Sequence, residues 1–125
     1  MVSDRKERIQ SVLRDLKSST PDIESSAIIS SSGIVIASDL PRDIEEKKLG
    51  EIITTMMSVA GKVASELHRG QLEQVLVRCD KGNVILVPVG MSEILVSVTK
   101  KDARLGLVFL EMKRTAKQLH NIMQP

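Results

Sequence analysis

The chain has 125 residues, 42% of them hydrophobic and 27% charged, with a formal net charge of +2 and a pI of about 8.8. This is the size and composition of a single domain, residues 1–125, with a core of its own, and it excludes a disordered or low-complexity chain. One Phe and no Tyr or Trp leave no stacking platform for single-stranded nucleic acid.

The charged amino terminus, with Asp4, Arg5, Lys6, Glu7 and Arg8, leads into no apolar signal core. The longest apolar region, residues 52–64, is broken by Thr54, Thr55, Ser58 and Lys62 and is too short to span a bilayer. A cytoplasmic protein without integral membrane association is expected. Asp4 and Glu7 have the spacing of a capping box, and Ile9, Val12, Leu13 and Leu16 follow at helical intervals. They predict a first helix that ends near Ser18, before the break at Pro21. Two short strand patterns, 23–30 and 34–38, flank Ser31-Ser32-Gly33 and read as a hairpin.

Asp43 and Glu46 repeat the capping-box spacing and open a long helix over residues 43–68. Basic residues and Gly70 are expected to stop it. On a helical wheel its Leu49, Ile52, Ile53, Met56, Met57, Val59, Ala60, Val63, Ala64 and Leu67 cover roughly 160°, more than packing on one neighbour needs. The excess points to an association surface. Gly50, Thr54, Met57, Gly61 and His68 line one flank of this helix, and a second backbone close by would offset the roughly 1 kcal/mol that each helical glycine costs. That backbone belongs either to a neighbouring segment of the same chain or to another subunit.

Three strands follow over 71–79, 83–89 and 93–99, then a final helix from about 102 to 123. Val84 and Leu86 point one way and Ile85, Val87 and Val89 the other, so both sheet faces are apolar and need helices. The fold class is α+β: a five-stranded antiparallel sheet in an α/β/α sandwich. The long middle helix takes one face and the first and last helices the other, and the strand after the long helix lies at an edge. Cys79, alone in the chain, is expected as a buried structural thiol.

Chemistry is sparse. There is no phosphate-binding glycine loop, His68 and His120 have no ligand-spaced companions, and no Ser occupies a nucleophile elbow. No catalytic residue, metal site or cofactor is expected. The last segment, residues 100–125, holds six basic and two acidic residues, and Lys113, Arg114, Lys117 and His120 read first as a solvated face.

Three stretches then converge: Ser26-Ala27-Ile28-Ile29-Ser30-Ser31-Ser32-Gly33-Ile34-Val35-Ile36-Ala37-Ser38, Arg69-Gly70-Gln71-Leu72-Glu73-Gln74-Val75-Leu76-Val77-Arg78, and Leu105-Gly106-Leu107-Val108-Phe109-Leu110. In this element order they resemble the Roadblock/dynein light-chain family across nearly the whole chain. Ser32 departs from the Asp or Asn that the family often places before the hairpin glycine, which bears on the turn and not on the fold.

The resemblance implies a non-enzymatic dimer acting as a platform. In prokaryotic members the implied partner is a Ras-like small GTPase; eukaryotic relatives join motor or nutrient-signalling scaffolds. It further implies third strands paired edge to edge across a two-fold axis, with the long helices side by side. The interface would hold Gly50, Met57, Gly61, Ala64, Leu72, Glu73, Gln74, Val75, Leu76 and Val77. The polar back of the helix, Lys47, Glu51, Thr55, Ser58, Lys62 and Glu66, is the candidate GTPase surface. Arg42, Arg69 and Arg104 lie near element ends, but no context marks an arginine finger. The alternative is a structural adaptor that grips a helix or peptide of a larger complex through the basic last helix and the second-strand edge at 34–38, with no GTPase.

Overall fold

The computed structural model of the chain describes residues 4–124; residues 1–3 and 125, and the part of the amino-terminal reading that falls on them, lie outside the described residues. α1 (Asp4–Ser19) buries Ile9, Leu13 and Leu16, the stripe its periodicity predicts. Asp4 lies inside its first turn. The helix closes where the Thr20 amide donates to the Leu16 carbonyl at 3.0 Å, and Pro21 turns the chain into β1 (Ile23–Ser30). β1 and β2 (Val35–Ser38) form the expected hairpin, with Gly33 at φ +90° in its turn.

α2 (Glu46–Glu66) begins three residues later than predicted, and the capping box at Asp43 and Glu46 does not form. The Ile44 amide closes a turn onto the Pro41 carbonyl, so residues 42–44 belong to that turn. Glu45 becomes the N-cap without a side-chain bond, and the Glu46 carboxylate accepts the Ser38 hydroxyl at 2.8 Å. Its carboxyl end is a correction too. The His68 amide donates to the Ser65 carbonyl and the Arg69 amide to the Ala64 carbonyl, a Schellman pair in which His68 at φ +57° takes the left-handed position that ends the helix, with Gly70 at φ +86° two residues further on.

β3 (Val75–Cys79), β4 (Gly82–Val89) and β5 (Glu93–Thr99) complete an antiparallel sheet of order β2-β1-β5-β4-β3. β3 starts four residues after the predicted Gln71. Its pairing begins at Val75 opposite Leu86; carrying that register on would set Glu73 opposite Pro88, which has no amide to give to a ladder. Cys79, expected to be buried, is exposed, because it sits at the edge-strand end paired with Gly82 beside the turn.

α3 (Leu105–Met123) starts three residues after the predicted Asp102. The buried Asp22 carboxylate reaches across from the α1–β1 connection and accepts the Arg104 backbone amide at 2.8 Å, so an acid remote in sequence serves the helix start. α1 and α3 share one face, tied also by the Arg5 guanidinium donating to the Met123 carbonyl. Leu13, Ile28, Ile85, Leu95, Met112 and Leu119 form the core between these helices and the sheet. Each is fully buried, which stabilises by about 1.5–3 kcal/mol per side chain. The other face carries a smaller core, Ala27, Ile29, Ile53, Leu86, Ile94 and Val96, under α2.

Candidate functional site

α2 is held by its first half. Leu49, Met56 and Met57 pack with Ile53 on the sheet, and beyond Met57 no residue of the helix joins that core. Val59, Val63 and Leu67 consequently stand 54%, 52% and 60% exposed, and Ile52, turned away from the flank that Ile53 buries, stands 48% exposed. The four recur at i, i+7, i+11 and i+15, which makes one continuous apolar seam along a flank of the helix. The predicted interface omitted these four. Their spacing was visible, but the wheel alone did not say which flank the sheet would cover.

The glycine flank lies on the other side. Gly50 is buried, and a Cβ placed on it would sit 1.9 Å from the Gly33 carbonyl oxygen, so the hairpin of its own chain demands the glycine. A Cβ placed on Gly61 would meet nothing within 4 Å. Gly61 borders an open groove with Met57, Ser65, Leu72 and Met91. Ala64 is half-buried.

β3 is an edge strand, as the sequence predicts, and β2 is the other. Val75 faces α2 with its core, and Leu76, on the opposite side of β3, is exposed. Leu72, Glu73 and Gln74, predicted to belong to this strand, lie before it; Leu72 and Gln74 are half-buried, and Glu73 is exposed and pairs with Lys113 at 3.4 Å. The edge that remains, Val75–Cys79, has no neighbouring strand along its outer side among the described residues.

Lys47, Glu51, Thr55, Ser58, Lys62 and Glu66 are all exposed on the back of α2. The Thr55 hydroxyl donates to the Glu51 carbonyl at 2.8 Å and so belongs partly to the helix itself. Of the three arginines near element ends, Arg42 and Arg69 are exposed, while Arg104 is bound: its Nε lies 3.1 Å from the Asp22 carboxylate. Lys100 joins from 3.1 Å. The Arg104 amide, the Arg104 guanidinium and the Lys100 ammonium together hold the Asp22 carboxyl down to about 2, from an ordinary 3.8.

His68 is exposed, and His120 is half-buried with its Nε2 3.0 Å from the Gln124 side-chain nitrogen. Among the described residues no three His, Cys, Asp or Glu side chains are grouped to hold a metal ion, and no helix is long and apolar enough to cross a membrane. What the surface offers is an uncovered seam on α2 and an open edge at β3, whose Val75 joins the core under that helix.

Residues 9–99 match the Roadblock/LC7 domain. An uncharacterized protein of Methanocaldococcus jannaschii is 32% identical over 111 residues, which cover 89% of this chain and 96% of that protein. Among solved structures, Myxococcus xanthus MglB superposes with a TM-score of 0.85 at 19% identity, over 94% of this chain and 88% of its own. The gliding protein MglB from Thermus thermophilus gives 0.83 at 21% identity, over 94% and 90%.

Proposed function

This chain belongs to the Roadblock/LC7 domain family, and we propose that it is a non-enzymatic homodimeric platform that binds and regulates a Ras-like small GTPase. The observation that carries this reading is the exposed seam of Ile52, Val59, Val63 and Leu67, on a helix whose own core reaches Val75 of the open β3 edge. Half-exposed branched side chains in a continuous row are a liability in a monomer, and so are unpaired strand amides and carbonyls. An isologous contact covers both at once: two β3 edges pair across a two-fold axis, and the two α2 seams close over them.

This arrangement revises the interface. Ile52, Val59, Val63 and Leu67 take the place of Gly50 and Met57, which are engaged by their own chain, while Val75, Leu76 and Val77 keep theirs. Lys47, Glu51, Ser58, Lys62 and Glu66 then remain on the outer surface of the paired helices, where a GTPase would dock. Regulation would come from positioning the GTPase's own switch residues. Arg104 is committed to Asp22, so it is a poor candidate for insertion into a nucleotide site.

The test uses purified protein and the Ras-like GTPases encoded in the same genome, each loaded with GDP or with a non-hydrolysable GTP analogue. The reading requires a dimer by light scattering and nucleotide-dependent binding to at least one GTPase. A dimer indifferent to every GTPase would favour the adaptor reading instead. One observation supports that alternative: β2 is a second free edge, with Ile34 beside it 64% exposed.

A further inference from the structure

The departure of the chain from β4 at Pro88 creates a second surface, away from α2. Past the Val75–Leu86 pair, residues 87–89 of β4 have no β3 partner. Between Leu72 and α3 a pocket of about 420 Å³ opens there, with Val87, Pro88 and Ala116 among its lining residues. Val87 and Ala116 are buried and Leu72 and Pro88 half-buried, so the apolar surface is recessed.

The rim is basic. Lys113 and Lys117, one helical turn apart on α3, line this pocket and are exposed. Lys117 makes no ion pair among the described residues, and Lys113 holds only Glu73, at 3.4 Å with Glu73 77% exposed. An exposed pair of this kind contributes little and gives way readily to a competing carboxylate.

A recessed apolar surface under two cations is matched by a protruding apolar side chain with carboxylates beside it. A bilayer matches it poorly, because its surface is flat and the apolar residues here point into a hollow. We propose that this pocket is a docking site for a short acidic and apolar peptide segment of a partner protein. One apolar side chain would rest on Val87, Pro88 and Ala116, and its acidic neighbours would engage Lys113 and Lys117 in place of Glu73. This site does not depend on the GTPase reading, since it lies on the α3 side of the sheet.

The experiment is selection of random twelve-residue peptides, displayed on phage, against the purified full chain, followed by fluorescence-polarisation titration of synthetic winners. Winners should carry Leu, Ile, Met or Phe between Asp or Glu residues. Lys113→Glu combined with Lys117→Glu should weaken them at least tenfold, and Glu73→Lys should tighten them several-fold. All three positions are exposed, so circular dichroism should be unchanged. Failure to select any peptide, winners without acidic residues, or unchanged affinity for the doubly reversed variant would overturn the proposal. Two further arms discriminate other occupants. Charge-reversal-sensitive binding to phosphatidylglycerol vesicles without peptide selection would assign the rim to a lipid surface and overturn it. So would tighter binding of a synthetic peptide of residues 42–48, whose exposed Asp43, Ile44 and Glu45 have the matching chemistry, since the occupant would then be a second copy of this chain.

Discussion

Gly33 and Gly50 touch backbone to backbone: a Cβ on Gly50 would stand 1.9 Å from the Gly33 carbonyl oxygen, where no side chain can yield. The pair seats the β1–β2 turn on the first half of α2. Gly50→Ala therefore pushes hairpin and helix apart, and it should lower unfolding stability by about 2 kcal/mol or more. Gly61→Ala has open space and should raise it by up to about 1 kcal/mol through helix propensity alone. Urea denaturation of the two variants checks both signs. Gly61→Ala should also leave self-association intact; a loss of dimer in that variant would return the close approach to the glycine flank.

His68 occupies the left-handed position that ends α2, at φ +57°. For a residue with a Cβ this conformation costs roughly 1–2 kcal/mol, partly offset in any glycine variant by the greater freedom of the unfolded chain. His68→Gly should thus stabilise the protein by about 0.5–1 kcal/mol, and His68→Val should destabilise it by a similar amount or more. Thermal unfolding at fixed protein concentration measures the difference.

Asp22 links the start of β1 to the start of α3 through Arg104 and Lys100, and its pKa of about 2 lies below the ordinary 3.8. Below 3.8 the unfolded chain binds the proton more readily than the folded one, so the contribution of this group is complete above that pH and is lost as pH falls towards 2. Asp22→Asn should remove it at neutral pH. Acid titrations of folding stability should then show a shallower decline between pH 4 and pH 2 in the variant than in the parent chain.

Fold and layers were legible because they rest on local period: the 3.6-residue stripe Ile9, Leu13, Leu16 and the two-sided apolarity of β4 name their faces without help from the rest of the chain. The element starts were less legible, since each was decided by a distant group. Asp22 sets the start of α3 from 82 residues away, and Pro88 ends the β3 ladder from the neighbouring strand. Cys79 followed the same logic: its pattern marked a strand end, but only the sheet order shows that strand to be an edge. For the candidate interface, the excess of apolar surface on α2 could be read from the wheel. Its location could not, because the contact of Gly50 with Gly33 rotates the helix so that Ile52, Val59 and Val63 remain outside.

Those seam residues give the most direct test of association. Val59 is 54% exposed and lies beyond the part of α2 that packs on the sheet, so Val59→Asp should leave the fold of a single chain unaltered. In the proposed dimer each substitution buries a carboxylate without a partner, and the two-fold axis applies the penalty twice. The cost should reach roughly 3 kcal/mol or more, a weakening of about a hundredfold or greater. Light scattering across a dilution series should show the variant as a monomer at concentrations where the parent is a dimer, with matching far-ultraviolet circular dichroism. Lys62→Glu, on the polar back of the same helix, should leave the dimer untouched and weaken only the binding of the GTPase. If Val59→Asp remains dimeric, the seam is not the contact, and the open β3 edge must be covered in another way.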